Sequence, residues 1–397
     1  MQAGNFALRH PLLTALALSF GAAISLGISR FSYALLLPPM RADLDWSYLL
    51  AGAMNTANAF GYFVGALMTP ALMRRLDAQA ALIGGALLTG VFMLLSGFVT
   101  DAAMLLLQRV LAGIASAFIF ISGGLLAARL GALHVKRAGF LIGLYYGGTG
   151  FGITLSALLV PATLETARDV AHPWQWAWLV LGALCLVMTL LMAIPARQID
   201  GAASAGSGHG HFKVRAFAFG LAGYLMFGVG YIGYMTFIIA LLKEQGMDAS
   251  TITLFYALLG LAVVASSRIW ARMLDRFKGG QSLAILNGLL AIATLLPVLT
   301  SAPLAVFASG MLFGAVFLSV VASTTALVRH NLPSQAWSSG ISGFTTVFAF
   351  GQIVGPTMVG WISDGAGGLQ RGLVFSAIAL LAGAVIASRQ RPLPHHA

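Results

Sequence analysis

Long apolar runs alternate with short polar breaks from one end of the chain to the other. A bilayer-crossing helix needs ~20 consecutive apolar residues. Charge, proline and glycine punctuate the sequence into twelve segments near that length: 12–38, 47–69, 79–99, 102–128, 138–160, 174–194, 216–241, 250–274, 281–299, 303–328, 337–361 and 371–388. Strict alternation of the barrel-strand kind is absent. Lipid offers the backbone no water partner, so each segment is expected to be a helix. The one long polar stretch, RQIDGAASAGSGHGHFKVR at 197–215, is rich in Gly, Ser and Ala and falls at mid-chain. It reads as a flexible linker. The pattern predicts an all-α membrane protein of twelve transmembrane helices, in two pseudo-symmetric six-helix halves at 1–196 and 216–397.

Composition supports lipid as the solvent. Charged residues make up 8% of the chain and hydrophobic ones 59%, whereas a soluble domain carries about 25% charge. The formal net charge of +11 would suggest nucleic acid in a soluble protein, but the loops account for it. With both termini inside, the cytoplasmic set is Arg9, Arg74, Arg75, Arg129, Lys136, Arg137, Arg197, Lys213, Arg215, Arg272, Arg276, Lys278, Arg329, Arg389 and Arg391. The opposite face holds only Arg41, Arg168, Lys243 and Arg371, and cytoplasmic loops are the ones that collect Lys and Arg. The linker is thus cytoplasmic, and no nucleic-acid partner is needed. The single cysteine, Cys185, excludes an intrachain disulfide and a cysteine metal cluster. His209 and His211 in the linker lack further ligands, so neither metal nor cofactor is expected. Arg9 before the apolar run resembles a signal peptide, but the run continues past Phe31, which argues for a retained first helix.

Shifted by about 200 residues, the chain partly matches itself. GISRFSY at 27–33 meets GVGYIGY at 228–234, an offset of 201, and Gly139 and Gly150 meet Gly340 and Gly351 at the same offset. RRLD at 74–77 meets RMLD at 272–275, an offset of 198. A parallel repeat of two six-helix halves is a transporter architecture, with its site between halves that rock around it.

These residues resemble the major facilitator superfamily over essentially the whole chain. RVLAGIASA at Arg109 is similar to the superfamily's fourth-helix pattern, RMLDRFKGG at 272–280 to its basic-acidic signature after helix eight, and GQIVGP at 351–356 to its eleventh-helix glycine–proline element. With GISRFSYALLLPPM, GLYYGGTGFGI and GYLMFGVGYIGYMTF, the chain looks most like the YbfB/YjiJ-type branch. The resemblance implies a bacterial inner (plasma) membrane location, alternating access, and a central cavity lined by helices one and four. It also implies a gating role for Arg272, Asp275 and Arg276. The first-half loop departs from the pattern, with Thr69 where the family's aspartate is expected.

Three arginines lie inside predicted spans: Arg30, Arg109 and Arg268. An arginine at a helix centre costs ~2.5–3.5 kcal/mol on insertion scales and is a functional candidate by default. Arg30 and Arg109 sit at matching depth, roughly 11–12 Å from the outer boundary. Two guanidiniums without a neighbouring acid suit a carboxylate, sulfonate or phosphate held by forked hydrogen bonds. The structural alternative is that they cap carbonyls or tie helices together. Arg268, near the inner end of helix eight, suits snorkelling or a latch contact with Asp275. Every Asp and Glu falls in or beside a loop, and no His lies near a helix centre. A cation therefore has no buried counter-charge, and a proton has no buried carrier. Polar and aromatic residues that can complete a cavity are Tyr33, Asn55, Asn58, Tyr62, Gln108, Tyr145, Tyr146, Tyr231, Tyr234, Tyr256 and Gln352. Tyr231 is the repeat counterpart of Arg30 and Tyr234 that of Tyr33. Interhelical hydrogen bonds or an interfacial belt are the plainer roles for such residues. YYGGTGFG at 145–152 has the look of a nucleotide-binding glycine loop, but no strand precedes it.

The expectation is a monomeric, multi-pass carrier that exports a small organic anion by alternating access. Arg30, Arg109, Tyr33, Gln108, Tyr145, Tyr231, Tyr234 and Gln352 are its candidate binding residues. Efflux of amphipathic drug-like compounds is the alternative within transport. A transporter-like sensor or membrane scaffold without flux is the alternative of another class. No nucleophile–base pair points to an enzyme.

Overall fold

A computed structural model describes residues 9–199, 212–333 and 336–393. His209 and His211, and most of the expected linker, lie outside the described residues. No strand occurs among the described residues. Among the described residues, twelve long helices follow the expected segments: a broken first one over Pro11–Asp43, then Tyr48–Leu72, Ala78–Ser96, Ala102–Leu133, Ala138–Thr166, Pro173–Ala196, Ala218–Glu244, Ala249–Ile269, Gln281–Leu299, Pro303–Asn331, Trp337–Ser363 and Gly368–Ser388. Among the described residues, eleven are long and apolar enough to cross a membrane. The twelfth, Tyr48–Leu72, has no charge but carries Asn55, Thr56 and Asn58 near its centre. Asn55 and Asn58 are each 1% exposed, so this polarity faces protein.

Several boundaries differ from the apolar pattern. The fourth, fifth and tenth helices run past their apolar windows to Leu133, Thr166 and Asn331, because a helix can continue beyond the hydrocarbon where water can reach its polar side chains. The eighth helix does not reach Leu274. It ends at Ile269, and Ala271–Arg276 forms a separate short helix with no buried residue. Arg268 is therefore exposed at a helix end rather than inside a span. Arg272, Asp275 and Arg276 lie on that short exposed helix. The glycine-rich 145–152 stretch lies within the helix Ala138–Thr166, not in a loop.

The chain forms two compact units. One comprises Met1–Trp46, Ala53–Ala203 and Met247–Val264; the other comprises Ser47–Gly52, Ser204–Gly246 and Ala265–Ala397. Each unit thus takes one short segment from beyond the mid-chain linker. In the first unit, the start of the eighth helix lies on the fifth. Thr154 Oγ1 donates to Ala257 O at 3.3 Å. A Cβ added at Gly260 would lie 2.7 Å from Gly150 O and 2.8 Å from Thr154 N, so only glycine allows this backbone approach. In the second unit, the first turns of the second helix lie on the eleventh. A Cβ on Gly52 would overlap the Pro356 carbonyl oxygen. Asp364 caps this helix start, accepting from Tyr48 N at 2.7 Å and Leu49 N at 2.8 Å. A carboxylate at a helix N-terminus satisfies orphan N–H groups and complements the dipole. The Tyr48 hydroxyl donates to Glu244 Oε1.

Candidate functional site

The first helix breaks around Arg30. Pro11–Ala22 is regular, Ala23–Ile28 is a π-helical turn, residues 29–32 form a turn, and Tyr33–Asp43 resumes the helix. The widened turn is held by Ser29 N→Ile24 O and Phe31 N→Leu26 O, both at 3.0 Å and both spanning five residues. Such π-bulges displace side chains from regular register and leave carbonyls to find other partners. Those partners come from distant helices. Ser116 Oγ donates to Ser25 O at 2.7 Å. Tyr256 Oη donates to Phe31 O at 2.7 Å. Arg109 Nη1 donates to Ser29 O at 2.6 Å. No proline lies within the break, and its geometry rests on tertiary contacts.

Arg109 and Arg30 are the only charged residues buried among the described ones, 3% and 2% exposed. Their surroundings differ. Besides Ser29 O, Arg109 donates to Asn55 Oδ1 at 3.3 Å and weakly to Met54 O at 3.5 Å. Its guanidinium lies 5.3 Å from the Tyr33 ring centroid and 5.6 Å from that of Trp178. All three of its nitrogens are thus engaged, and two rings lie against it. Arg30, by contrast, has buried Nε and Nη2 atoms with no hydrogen-bond partner. Those two N–H groups lie on one edge of the guanidinium and form the side-on fork that matches two oxygens of a carboxylate. Ser29 Oγ and Ser32 Oγ, on the same turn, are also buried and unpartnered.

The other expected residues fall into separate clusters. Gln108 Oε1 accepts from Ser96 Oγ at 2.9 Å. Tyr145 Oη donates to Phe120 O at 3.0 Å, in an aromatic group with Tyr62, Phe120 and Tyr146. In the second unit Tyr231 Oη donates to Gln352 Oε1 at 2.8 Å, which brings two of the candidates together. Tyr234 Oη pairs with Ser309 Oγ at 2.7 Å, and its ring stacks on Phe313 at 4.1 Å. Where Tyr33 has a guanidinium beside its ring, its repeat counterpart Tyr234 has a phenyl ring. The seventh helix continues this aromatic character. Tyr224, Phe227 and Tyr231 all stack against Phe348, at 4.9, 5.3 and 5.6 Å. Sequence reasoning missed Ser29 and Trp178 at the break, and Tyr48, Glu244 and Asp364 at the helix cap. Their partners are too far away in the chain to leave a local signal.

The fold and these buried charges belong to a class of membrane transporter. The structure superposes on the nucleoside transporter NupG with a TM-score of 0.71 at 13% identity, covering 98% of this chain and 99% of that one. A family model described as "Uncharacterised MFS-type transporter YbfB" matches residues 22–388, and the chain belongs to this family of the major facilitator superfamily. Among curated relatives, it is 24% identical to a putative tartrate transporter of Agrobacterium vitis, over 87% of this chain and 83% of that protein. It is 25% identical to a chloramphenicol resistance protein of Streptomyces lividans, over 91% and 93%. It is also 24% identical to a gentisate transporter of Corynebacterium glutamicum, over 84% and 77%. The protein is a transporter and not an enzyme.

Proposed function

We propose that the protein carries a small organic anion outward across the bacterial inner membrane by alternating access, with Arg30 as the anion-binding residue. The observation that carries this reading is the buried, unpartnered fork of Arg30. A buried guanidinium edge without acceptors is costly unless a ligand supplies them. Arg109 serves in this reading as the group that holds the break open. Tyr33, Gln108, Tyr145, Tyr231, Tyr234 and Gln352 remain candidates to shape the cavity. The tartrate and gentisate relatives are named for organic anions. The aromatic run of the second unit favours a second reading, efflux of amphipathic compounds, to which the chloramphenicol relative also points. That reading predicts that Arg30→Gln is tolerated.

No Asp, Glu or His among the described residues is buried. A proton therefore has no interior carrier, and the membrane potential is the proposed drive. Moving one charge across 100 mV is worth about 2.3 kcal/mol, and an inside-negative potential pushes an anion out. Proteoliposomes loaded with labelled gentisate, with the protein oriented, should lose it faster under an inside-negative potential than protein-free vesicles. A pH gradient at clamped zero potential should not drive accumulation. Efflux equal to that of protein-free vesicles refutes the reading of anion export, and strong accumulation at zero potential refutes the drive.

In the proposed orientation both termini and the linker are cytoplasmic. A topology reporter fused at Lys213 should be cytoplasmic and one at Asp248 should face outward, as the loop charges require. Asp248 marks the start of the eighth helix. Ser250 and Thr251 donate to its carboxylate and hold it below the usual range for an aspartate. Reporters found on one side would overturn the orientation.

A further inference from the structure

We infer that the cargo is a monocarboxylate: one carboxylate on the side-on edge of Arg30, carried on a body without further charge. The inference rests on the reading of Arg30 as the anion site and narrows it. The buried residues of the first unit provide the argument. Arg30 and Arg109 are the only charged side chains buried among the described residues. A dianion would draw on both, but Arg109 is already engaged. Its Nη1, Nη2 and Nε each donate to an acceptor of the protein, at 2.6, 3.3 and 3.5 Å. The Tyr33 and Trp178 rings lie against its guanidinium. If Arg109 turned to a ligand, it would release the Ser29 carbonyl that the break leaves without a helical partner, and so disturb the turn that presents Arg30.

The remaining unpartnered polar atoms on that turn, Ser29 Oγ and Ser32 Oγ, are neutral hydroxyls. They suit a carboxylate's outer lone pairs or a hydroxyl of the cargo, not a second full charge. The other buried polar residues of the first unit are likewise neutral: serine, threonine, asparagine and glutamine. A second carboxylate taken into this interior would lose its water and find no cation with donors to spare, since those of Arg109 are taken by neutral oxygens of the protein. A phosphate monoester, which carries close to two charges at neutral pH, is disfavoured for the same reason.

Matched probes test this on the purified full-length protein. Calorimetric titration would compare benzoate with terephthalate and hexanoate with adipate, with benzamide and hexanamide as neutral controls. Benzoate and hexanoate should each bind at least tenfold more tightly than the diacid of the same skeleton, although each diacid offers two carboxylates. The amides should not bind. Diacids that bind as tightly as the monoacids would overturn the monocarboxylate inference and leave the anion reading standing. Amides that bind as well as the acids, or no binding by any acid, would overturn both. Arg30→Gln, confirmed as folded by its helical circular dichroism, should lose benzoate binding. Unchanged benzoate affinity in that variant would place the carboxylate elsewhere and also overturn the inference.

Discussion

Arg30→Gln is expected to weaken monocarboxylate binding roughly 100-fold or more while leaving the unliganded protein at least as stable as the natural one. Hydrogen bonds to charged groups contribute about 1.5–3 kcal/mol each, and the side-on fork supplies two of them. Arg30→Lys keeps the charge but loses the fork, and should cost about tenfold. The stability half separates this account from its structural rival. Nε and Nη2 of Arg30 have no hydrogen-bond partner, so removing them relieves an uncompensated desolvation cost. A purely structural arginine would do the reverse, and its loss would lower the melting temperature. Tyr231→Phe removes one hydroxyl that is already bonded to Gln352, and should change affinity less than either Arg30 variant. Calorimetry and thermal unfolding in detergent give both numbers. Normal affinity with a lowered melting temperature in Arg30→Gln would end the anion-site reading.

Gly52→Leu should lower the stability of the folded protein by about 1–3 kcal/mol, the typical cost of overpacking. The leucine Cβ would overlap the Pro356 carbonyl oxygen, a backbone atom that has no rotamer to escape into. Gly260→Leu should act alike through Gly150 O and Thr154 N. Each change strains the packing inside one of the two units, so thermal unfolding in detergent and the yield of folded protein read the effect. Variants that melt with the natural protein would show that these crossings spread at no cost. Asp364→Ala tests the neighbouring cap. It removes the acceptor of Tyr48 N and Leu49 N and should lower the melting temperature by less than either glycine variant.

The twelve helices were legible because lipid imposes one rule on every span, and the apolar run reports it directly. The interior of the site was legible only as residue types. Arg30 and Arg109 stood out as charges where none belong, but nothing local separates their roles. The difference arises from Ser29 O, Asn55 and Met54, which reach Arg109 across 54 to 80 residues of chain. The break itself left no mark in GISRFSY, since its carbonyls are satisfied by Ser116, Arg109 and Tyr256 rather than by its neighbours. The same applies to Asp364, more than 300 positions from the helix it caps. The eighth helix misled for a simpler reason. Apolar content continues through Trp270, Met273 and Leu274, yet the chain breaks at Trp270, and Met273 and Leu274 lie on a separate short helix with no buried residue.

The segments that each unit takes from beyond the linker bear on how the chain is made. The first unit includes Met247–Val264, so it is incomplete when the ribosome reaches the linker. Domains generally fold as units in the order they emerge, at synthesis rates of about 5–20 residues per second, and the roughly sixty residues still to come take about 3–12 s. During that interval the face of the fifth helix around Gly150 and Thr154 has no partner. Fragments cut at the linker should accordingly be poor proteins apart and recover transport when synthesised together, each supplying the piece that the other lacks.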